Sequence, residues 1–188
     1  MSIIATPEPG EATGEVAKIY AEDTDSLGYL PSHTRVMATN PEAYRAWENL
    51  IGSIARPLGA RRYGLITLAA AEALRSKACR LAHGKKSLQF ISEEELLRIA
   101  RDYRDAGLSA AEVAMMEFAE KLSTDSYSMT DADSTTLRSR LRRPRDRRHR
   151  PRGGRPELLQ PRALGARRGG GYSVRLSEPL RSALVDAR

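Results

Sequence analysis

The chain has little cysteine, few aromatic side chains and no long apolar run. Cys79 is the one cysteine among 188 residues, which excludes an intrachain disulfide and fits a reducing cytoplasm. Two Phe and one Trp beside many Ala and Leu favour helices over a β-sandwich. No stretch reaches the ~18 apolar residues of a transmembrane helix. The first residues lack the basic and apolar segments of a signal peptide. We therefore expect a cytoplasmic protein.

Charge is distributed unevenly along the chain. Residues 1–137 hold 15 Lys and Arg against 20 Asp and Glu, a net charge of −5, whereas residues 138–188 hold 16 against 4, a net charge of +12. Thirteen arginines stand among Pro and Gly in residues 138–171, without an amphipathic period. We expect a disordered basic tail there. Nucleic-acid binding is the less favoured alternative, because no aromatic residues are interleaved with the arginines.

The interpretation we favour for residues 138–171 is a third one, a shifted reading frame in a GC-rich gene. Residues 141–160 can be back-translated with a suitable choice of the third base of each codon. Read one nucleotide downstream, that DNA encodes an amphipathic helix with an Asp-Pro cap. The chain would then lack a helix that buries apolar surface, and resequencing the coding DNA tests this. Residues 172–188 return to helical spacing, with Leu176, Leu180 and Leu184, and predict a short C-terminal helical tail.

Residues 1–137 predict one all-α domain. Helix starts are marked by Asn40-Pro41, by capping boxes at Ser92 and Ser109, and by Thr130. The helix after Asn40 is expected to bury four apolar residues, namely Tyr44, Trp47, Leu50 and Ile51. A long helix is expected over about residues 60–83, ending near Gly84, with Lys85 and Lys86 suiting its C-terminus.

One face of that long helix gathers the reactive side chains. Glu72, Ser76, Cys79 and His83 are spaced by four, three and four residues, which places a carboxylate, a hydroxyl, a thiol and an imidazole on one stripe. An imidazole one turn from a thiol can accept its proton or stabilise the thiolate as an imidazolium. These four residues form the predicted catalytic set; a small buried cysteine without chemistry is the alternative.

The segment 58–88 resembles the carboxymuconolactone decarboxylase/alkylhydroperoxidase D superfamily, in particular its peroxidase-related members. The specific part is Leu68-Ala69-Ala70-Ala71 followed by Ser76, Cys79, His83 and Gly84. A more diffuse similarity covers residues 12–137 and includes Leu30-Pro31-Ser32-His33. The resemblance implies that family's helical fold, a peroxidatic thiolate at Cys79, a hydroperoxide substrate and a homo-oligomer. It implies no metal, haem or flavin cofactor.

Three positions depart from the family pattern. The resolving cysteine is replaced by Ser76, the family's glutamate falls on Gly64, and a histidine that some members carry falls on Ala78. Because a hydroxyl cannot form a disulfide, the resemblance implies resolution by an external thiol reductant or by Cys79 of another subunit. Glu72 is the candidate replacement for the missing carboxylate.

The leading functional interpretation is a peroxidase that reduces hydroperoxides through a single cysteine, with His83 managing the proton. Two alternatives remain open. A decarboxylase-like or lactone-acting enzyme would use His83 and Glu72 as acid and base and would not need the thiol. A degenerate scaffold would assemble as an oligomer without turnover.

Overall fold

The structure, a computed structural model, describes residues 4–141 and 176–186. Every regular element in these two ranges is helical, which confirms the predicted all-α class. Two short 3₁₀ turns, at Tyr103–Asp105 and Ser126–Ser128, accompany the α-helices. The α-helices of the described residues are α1 (Gly14–Leu27), α2 (Ser32–Met37), α3 (Pro41–Leu58), α4 (Ala60–Ala73), α5 (Lys77–Ser87), α6 (Glu93–Asp102), α7 (Ala110–Thr124), α8 (Asp131–Leu141) and α9 (Glu178–Asp186).

The Arg-rich segment falls mostly in residues 142–175. These lie outside the described residues, as does the stretch that the reading-frame interpretation concerns. Residues 138–141, which were expected to be disordered, instead form the end of α8. The expectation of disorder is therefore wrong for these four residues.

Serine and asparagine side chains begin three of the helices where the sequence predicted. Asn40 Oδ1 accepts from Ala43 N at 3.1 Å, at the start of α3. Ser109 forms a complete capping box, because its backbone N–H donates to the Glu112 carboxylate at 3.0 Å. Ser92 caps α6 through its hydroxyl alone. The Glu95 carboxylate does not reach back, since it pairs with Arg61 of α4 at 2.5 Å.

Helices α4, α6, α7 and α9 surround the larger hydrophobic core. Leu65, Leu96, Met116 and Leu180 are almost fully buried there. Leu180 lies on α9, so the end of the chain packs into the same core as the middle. This arrangement makes α9 part of the domain's interior packing.

A smaller core joins α1, α2 and α3 around Ile19, Tyr20, Ala38 and Tyr44. The sequence placed three further α3 residues in a core; Ile51 is half-buried, and the expectation is wrong for the other two. Trp47 is 40 % exposed and Leu50 is 57 % exposed. The reason is geometric: α3 packs through the face that carries Tyr44, and its apolar stripe is wider than the surface its neighbours cover.

The expected single helix over residues 60–83 is two helices. α4 ends at Ala73 and α5 begins at Lys77, with Arg75 between them in the left-handed region at a φ of 53°. Ser76 becomes the N-cap of α5, and its hydroxyl accepts from Cys79 N at 3.4 Å. A serine that satisfies a free backbone N–H in this way favours a new helix start over continuation.

Gly84 does not end α5, contrary to the expectation from the sequence. The helix continues to Ser87, which still leaves Lys85 and Lys86 in its last turn. Gly84 instead provides room for α9, because a Cβ atom there would lie 2.5 Å from Leu184 Cδ1. The glycine is thus explained by close helix packing.

Candidate functional site

The break between α4 and α5 divides the predicted catalytic set. Glu72 lies on α4, whereas Cys79 and His83 lie on α5. The Glu72 carboxylate accepts from Arg80 Nη1 at 2.8 Å, and the Arg80 side chain is only 3 % exposed. Glu72 therefore holds a buried guanidinium and does not continue the stripe of Cys79 and His83.

Ser76 and Cys79 are brought together at the start of α5. The hydroxyl of Ser76 acts as the helix cap, as described above, and Cys79 is the third residue of the helix. The thiol is exposed. Backbone N–H groups in the first turn of a helix carry partial positive charge, which stabilises a negative charge on a nearby sulfur.

His83 lies one turn after Cys79 on the same helix, so their side chains project from the same side. The imidazole is half-buried, and the ring of Tyr63 meets it edge-on at a centroid distance of 6.3 Å. Burial, with the positive charges of Lys86 and His33, lowers the pKa of His83 to about 4. At neutral pH the ring is uncharged and cannot serve as an imidazolium partner, and its lowered pKa makes it a weaker base than an ordinary histidine.

Two residues of the segment after α1 were not predicted as site residues. Burial raises the pKa of Tyr29, and the negative charges of Asp23 and of a Cys79 thiolate raise it further. Partial burial and Lys86 lower the pKa of His33, against the pull of Asp23. Both side chains are thus electrostatic neighbours of the Cys79–His83 pair. His33 belongs to the sequence Leu30-Pro31-Ser32-His33, which is part of the family resemblance described above. That resemblance was a signal from which His33 could have been predicted as a site residue.

Buried hydrogen bonds hold this segment against α1 and α3. The hydroxyl of Thr34, a fully buried residue next to His33, donates to Asp23. Tyr44 donates to the same carboxylate oxygen of Asp23 at 3.1 Å. Lys85 donates to Leu27 O at the C-terminus of α1, which ties α5 to that helix end. The position of His33 beside α5 follows from these contacts.

Gly64, where the resemblance places the family's glutamate, has no room for a side chain. A Cβ atom there would lie 2.8 Å from Phe90 Cε2 and 2.9 Å from Ser87 Oγ. A carboxylate at this position would require Phe90 to move. The absence of the glutamate is therefore consistent with the packing of this chain.

No protein-family model, curated protein or solved structure matches the chain. The family resemblance rests on the residues quoted for it above.

Metal sites and membrane-spanning helices were sought across residues 4–141 and 176–186. In these ranges no group of three or more His, Cys, Asp or Glu side chains could hold a metal ion. Within the same part of the chain, no helix combines the length and hydropathy needed to cross a bilayer.

The side chains around Cys79 suit nucleophilic chemistry with proton transfer. The thiol is accessible, and a neutral imidazole lies one turn away. A nucleophile beside a base is the arrangement that activates cysteine in covalent catalysis. Glu72 is not part of this group, because it is committed to Arg80.

Proposed function

We propose that the protein is a peroxidase of the alkylhydroperoxidase D type, which reduces hydroperoxides through Cys79. One observation carries the proposal: an exposed thiol in the first turn of α5 has a neutral imidazole, His83, one turn later on the same helix. The resemblance points to the same two residues. The family's fold and a cytoplasmic location, where thiol reductants are abundant, belong to the proposal.

The first step oxidises the thiol and reduces the peroxide. The sulfur of Cys79 attacks the terminal oxygen of the hydroperoxide while its proton passes to the neutral imidazole of His83. A sulfur–oxygen bond forms while the oxygen–oxygen bond breaks. His83 returns the proton to the departing alkoxide, so the products are a sulfenic acid on Cys79 and one molecule of alcohol.

The second step needs a thiol from outside the chain. An external thiol attacks the sulfenic acid to give a mixed disulfide and water, and a second thiol releases Cys79 with formation of an external disulfide. Ser76 cannot perform this resolution, because its hydroxyl cannot form a disulfide. The hydroxyl instead supports the start of α5 through Cys79 N.

A sulfenic-acid trap tests the first step. The protein is treated with hydrogen peroxide or tert-butyl hydroperoxide and then with a dimedone-type probe, and the adduct is located by mass spectrometry. We expect an adduct at Cys79 that forms with a lower rate in His83→Gln, because the proton acceptor is lost. Loss of one general base typically costs a factor of about 10²–10⁴ in rate.

His33→Gln is the matched control, since it removes a second histidine near His83 but off α5. Its rate of adduct formation should stay within a few-fold of the unmodified chain. An unreactive Cys79, or equal rates in His83→Gln and the unmodified chain, would contradict the proposal. Lactone turnover that survives Cys79→Ser would favour the acid/base enzyme. Absence of both activities would favour the scaffold.

The assignment of position 76 as the site of the family's resolving cysteine can be tested by introducing a cysteine there. Ser76→Cys places a second thiol one turn before Cys79, where the serine hydroxyl now lies 3.4 Å from the Cys79 backbone nitrogen. Peroxide should then give an intrachain disulfide in place of the trapped sulfenic acid. Persistence of the same sulfenic-acid adduct in Ser76→Cys would contradict the assignment of position 76 as the resolver site.

Self-association is part of the proposal, and α3 provides its surface. Ala43, Trp47, Leu50, Ile54 and Pro57 recur at intervals of four, three, four and three residues, and all are exposed. This is the spacing of a coiled-coil seam, which packs against another helix of the same spacing. The same seam on a second copy of the chain satisfies that requirement across a two-fold axis.

A further inference from the structure

A groove of about 810 Å³ lies between the C-terminal ends of α4 and α6, the 3₁₀ turn after α6, and α9. Its volume falls within the ~300–1,000 Å³ typical of small-molecule sites. Neither Cys79 nor His83 lines it. The groove is therefore separate from the thiol site.

The floor of the groove is apolar. Ala69, Ile99, Ala100 and Tyr103 line it, and the same four residues line a void of about 20 Å³ that lies deeper, against the core. A cavity of about 10–15 Å³ already holds a water-sized group, so the void accommodates a methyl end. An apolar ligand body would remove this surface from water.

The polar groups at the floor already have protein partners. Glu72 pairs with Arg80 at 2.8 Å. The Tyr103 hydroxyl donates to Glu120, which also pairs with Arg104 at 2.7 Å. These groups are engaged with one another, so the floor does not select for a polar ligand body.

The rim carries cationic side chains that are not engaged in this way. Arg75 and Arg101 both line the groove and are exposed. Within residues 4–141 and 176–186, neither guanidinium forms an ion pair or a hydrogen bond, in contrast to Arg104. The rim also carries Asp102, whose carboxylate accepts from Arg104 N at 2.9 Å. A guanidinium is well suited to bind a carboxylate through two parallel hydrogen bonds.

The backbone of Arg75 forms the turn at the end of α4. Its φ of 53° is the one positive value at a non-glycine residue in the described part of the chain. A left-handed conformation costs a residue with a side chain about 1–2 kcal/mol, and glycine adopts it freely. This turn ends α4, because Ser76 N donates to Ala71 O at 2.9 Å, and it leaves the Arg75 side chain at the groove.

We propose that this groove binds an organic carboxylate with an apolar body. The body lies on the floor formed by Ile99 and Tyr103, and its carboxylate pairs with Arg75 and Arg101 at the rim. The inference does not depend on the peroxidase chemistry, since the groove shares no residue with the Cys79–His83 pair.

Titration calorimetry with three probes tests the proposal on the full chain. Octanoate supplies both the body and the charge, octan-1-ol supplies the body alone, and inorganic phosphate supplies charge alone. We expect octanoate to bind at least about tenfold more tightly than either of the other two, because only octanoate uses both the floor and the rim. Equal affinities for octanoate and octan-1-ol would overturn the proposal.

Arg75→Gly and Arg101→Gln identify the residues that hold the carboxylate. Each should weaken octanoate about tenfold and leave octan-1-ol unchanged. Arg75→Gly should also keep or raise the melting temperature, since glycine suits the left-handed backbone, so lost binding cannot be ascribed to unfolding. Arg62→Gln is the control, an exposed arginine of α4 outside the groove. Unchanged octanoate affinity in both groove variants, or an equal loss in Arg62→Gln, would overturn the assignment.

Discussion

His83 and Cys79 are neighbours on α5 but lie in different environments. The thiol is exposed, whereas the imidazole is partly enclosed by Tyr63 and lies near the cationic Lys86. A histidine whose pKa is lowered in this way is uncharged over the whole physiological range and is a weaker base than an exposed histidine. The same enclosure makes protonation of His83 unfavourable in the folded state, which links the site to the stability of the fold.

The first residue-scale prediction concerns stability at acidic pH. The pKa of His83 is lowered to about 4 in the folded chain, against an unfolded value of about 6.5. Between these values the unfolded chain binds the extra proton, so stability falls as the pH drops from 7 to 4 and this contribution is constant below 4. The loss attributable to His83 is at most about 3 kcal/mol.

Urea unfolding of the unmodified chain and of His83→Gln at pH 7, 5 and 4 measures this loss. Carboxylates titrate equally in both chains, so the difference between the two pH profiles isolates His83. His33→Gln should remove a smaller part of the pH dependence, because that histidine is exposed. Parallel pH profiles for the unmodified chain and His83→Gln would contradict the burial argument.

The sequence was sufficient to pair Cys79 with His83, because both lie four residues apart inside one helix. It was not sufficient for Glu72, whose place depends on the turn at Arg75. Helical spacing alone cannot reveal such a turn. The place of Tyr29 near Cys79 was also out of reach, since the two residues lie far apart in the sequence.

At the scale of elements, helix contacts decide where glycine is required. A Cβ atom added at Gly64 would lie 2.8 Å from Phe90 Cε2, whereas one added at Gly52 would meet only Arg56 Nη1, at 3.3 Å. Arg56 is exposed and can move, but Phe90 packs against the larger core. The two glycines therefore differ in what replacement would do.

Gly64→Ala and Gly52→Ala test this difference in matched positions within helices. Alanine gains about 1 kcal/mol of helix propensity at either site. At Gly64 the added methyl group must displace Phe90, and overpacking of a core costs about 1–3 kcal/mol. We expect Gly64→Ala to lower the free energy of unfolding and Gly52→Ala to raise it by about 0.5–1 kcal/mol, both measured by urea denaturation. Stabilisation by Gly64→Ala would show that Phe90 yields freely.

Local signals predicted the starts of several helices but not the packing between them. The caps at Asn40, Ser92 and Ser109 depend on side chains within three residues, so the sequence contains all the information they need. The packing role of Gly84 depends on Leu184, a hundred residues away in the chain. A role as a helix stop was therefore a plausible but incorrect prediction for that glycine.

At the scale of the whole molecule, α9 and α3 show opposite behaviour. α9 is short, yet it is anchored in the larger core through Leu180 and Leu184, and its Val185 carbonyl accepts from Arg80 at 3.3 Å. α3 is the longest helix in the described ranges, yet its Trp47–Ile54 face remains exposed. An amphipathic helix whose apolar face is left uncovered by residues 4–141 and 176–186 is a natural site of association.

Leu50→Glu tests whether α3 is the surface between copies of the chain. Light scattering after size exclusion should show a multiple of the 20.8 kDa chain for the unmodified protein and a shift toward the monomer for Leu50→Glu, because the charge cannot be buried without a partner. Leu74→Glu is the control, since Leu74 is 61 % exposed but lies at the end of α4, off the seam. Circular dichroism should be unchanged in both variants. A monomeric unmodified chain, or an oligomer that resists Leu50→Glu, would place any assembly on another surface.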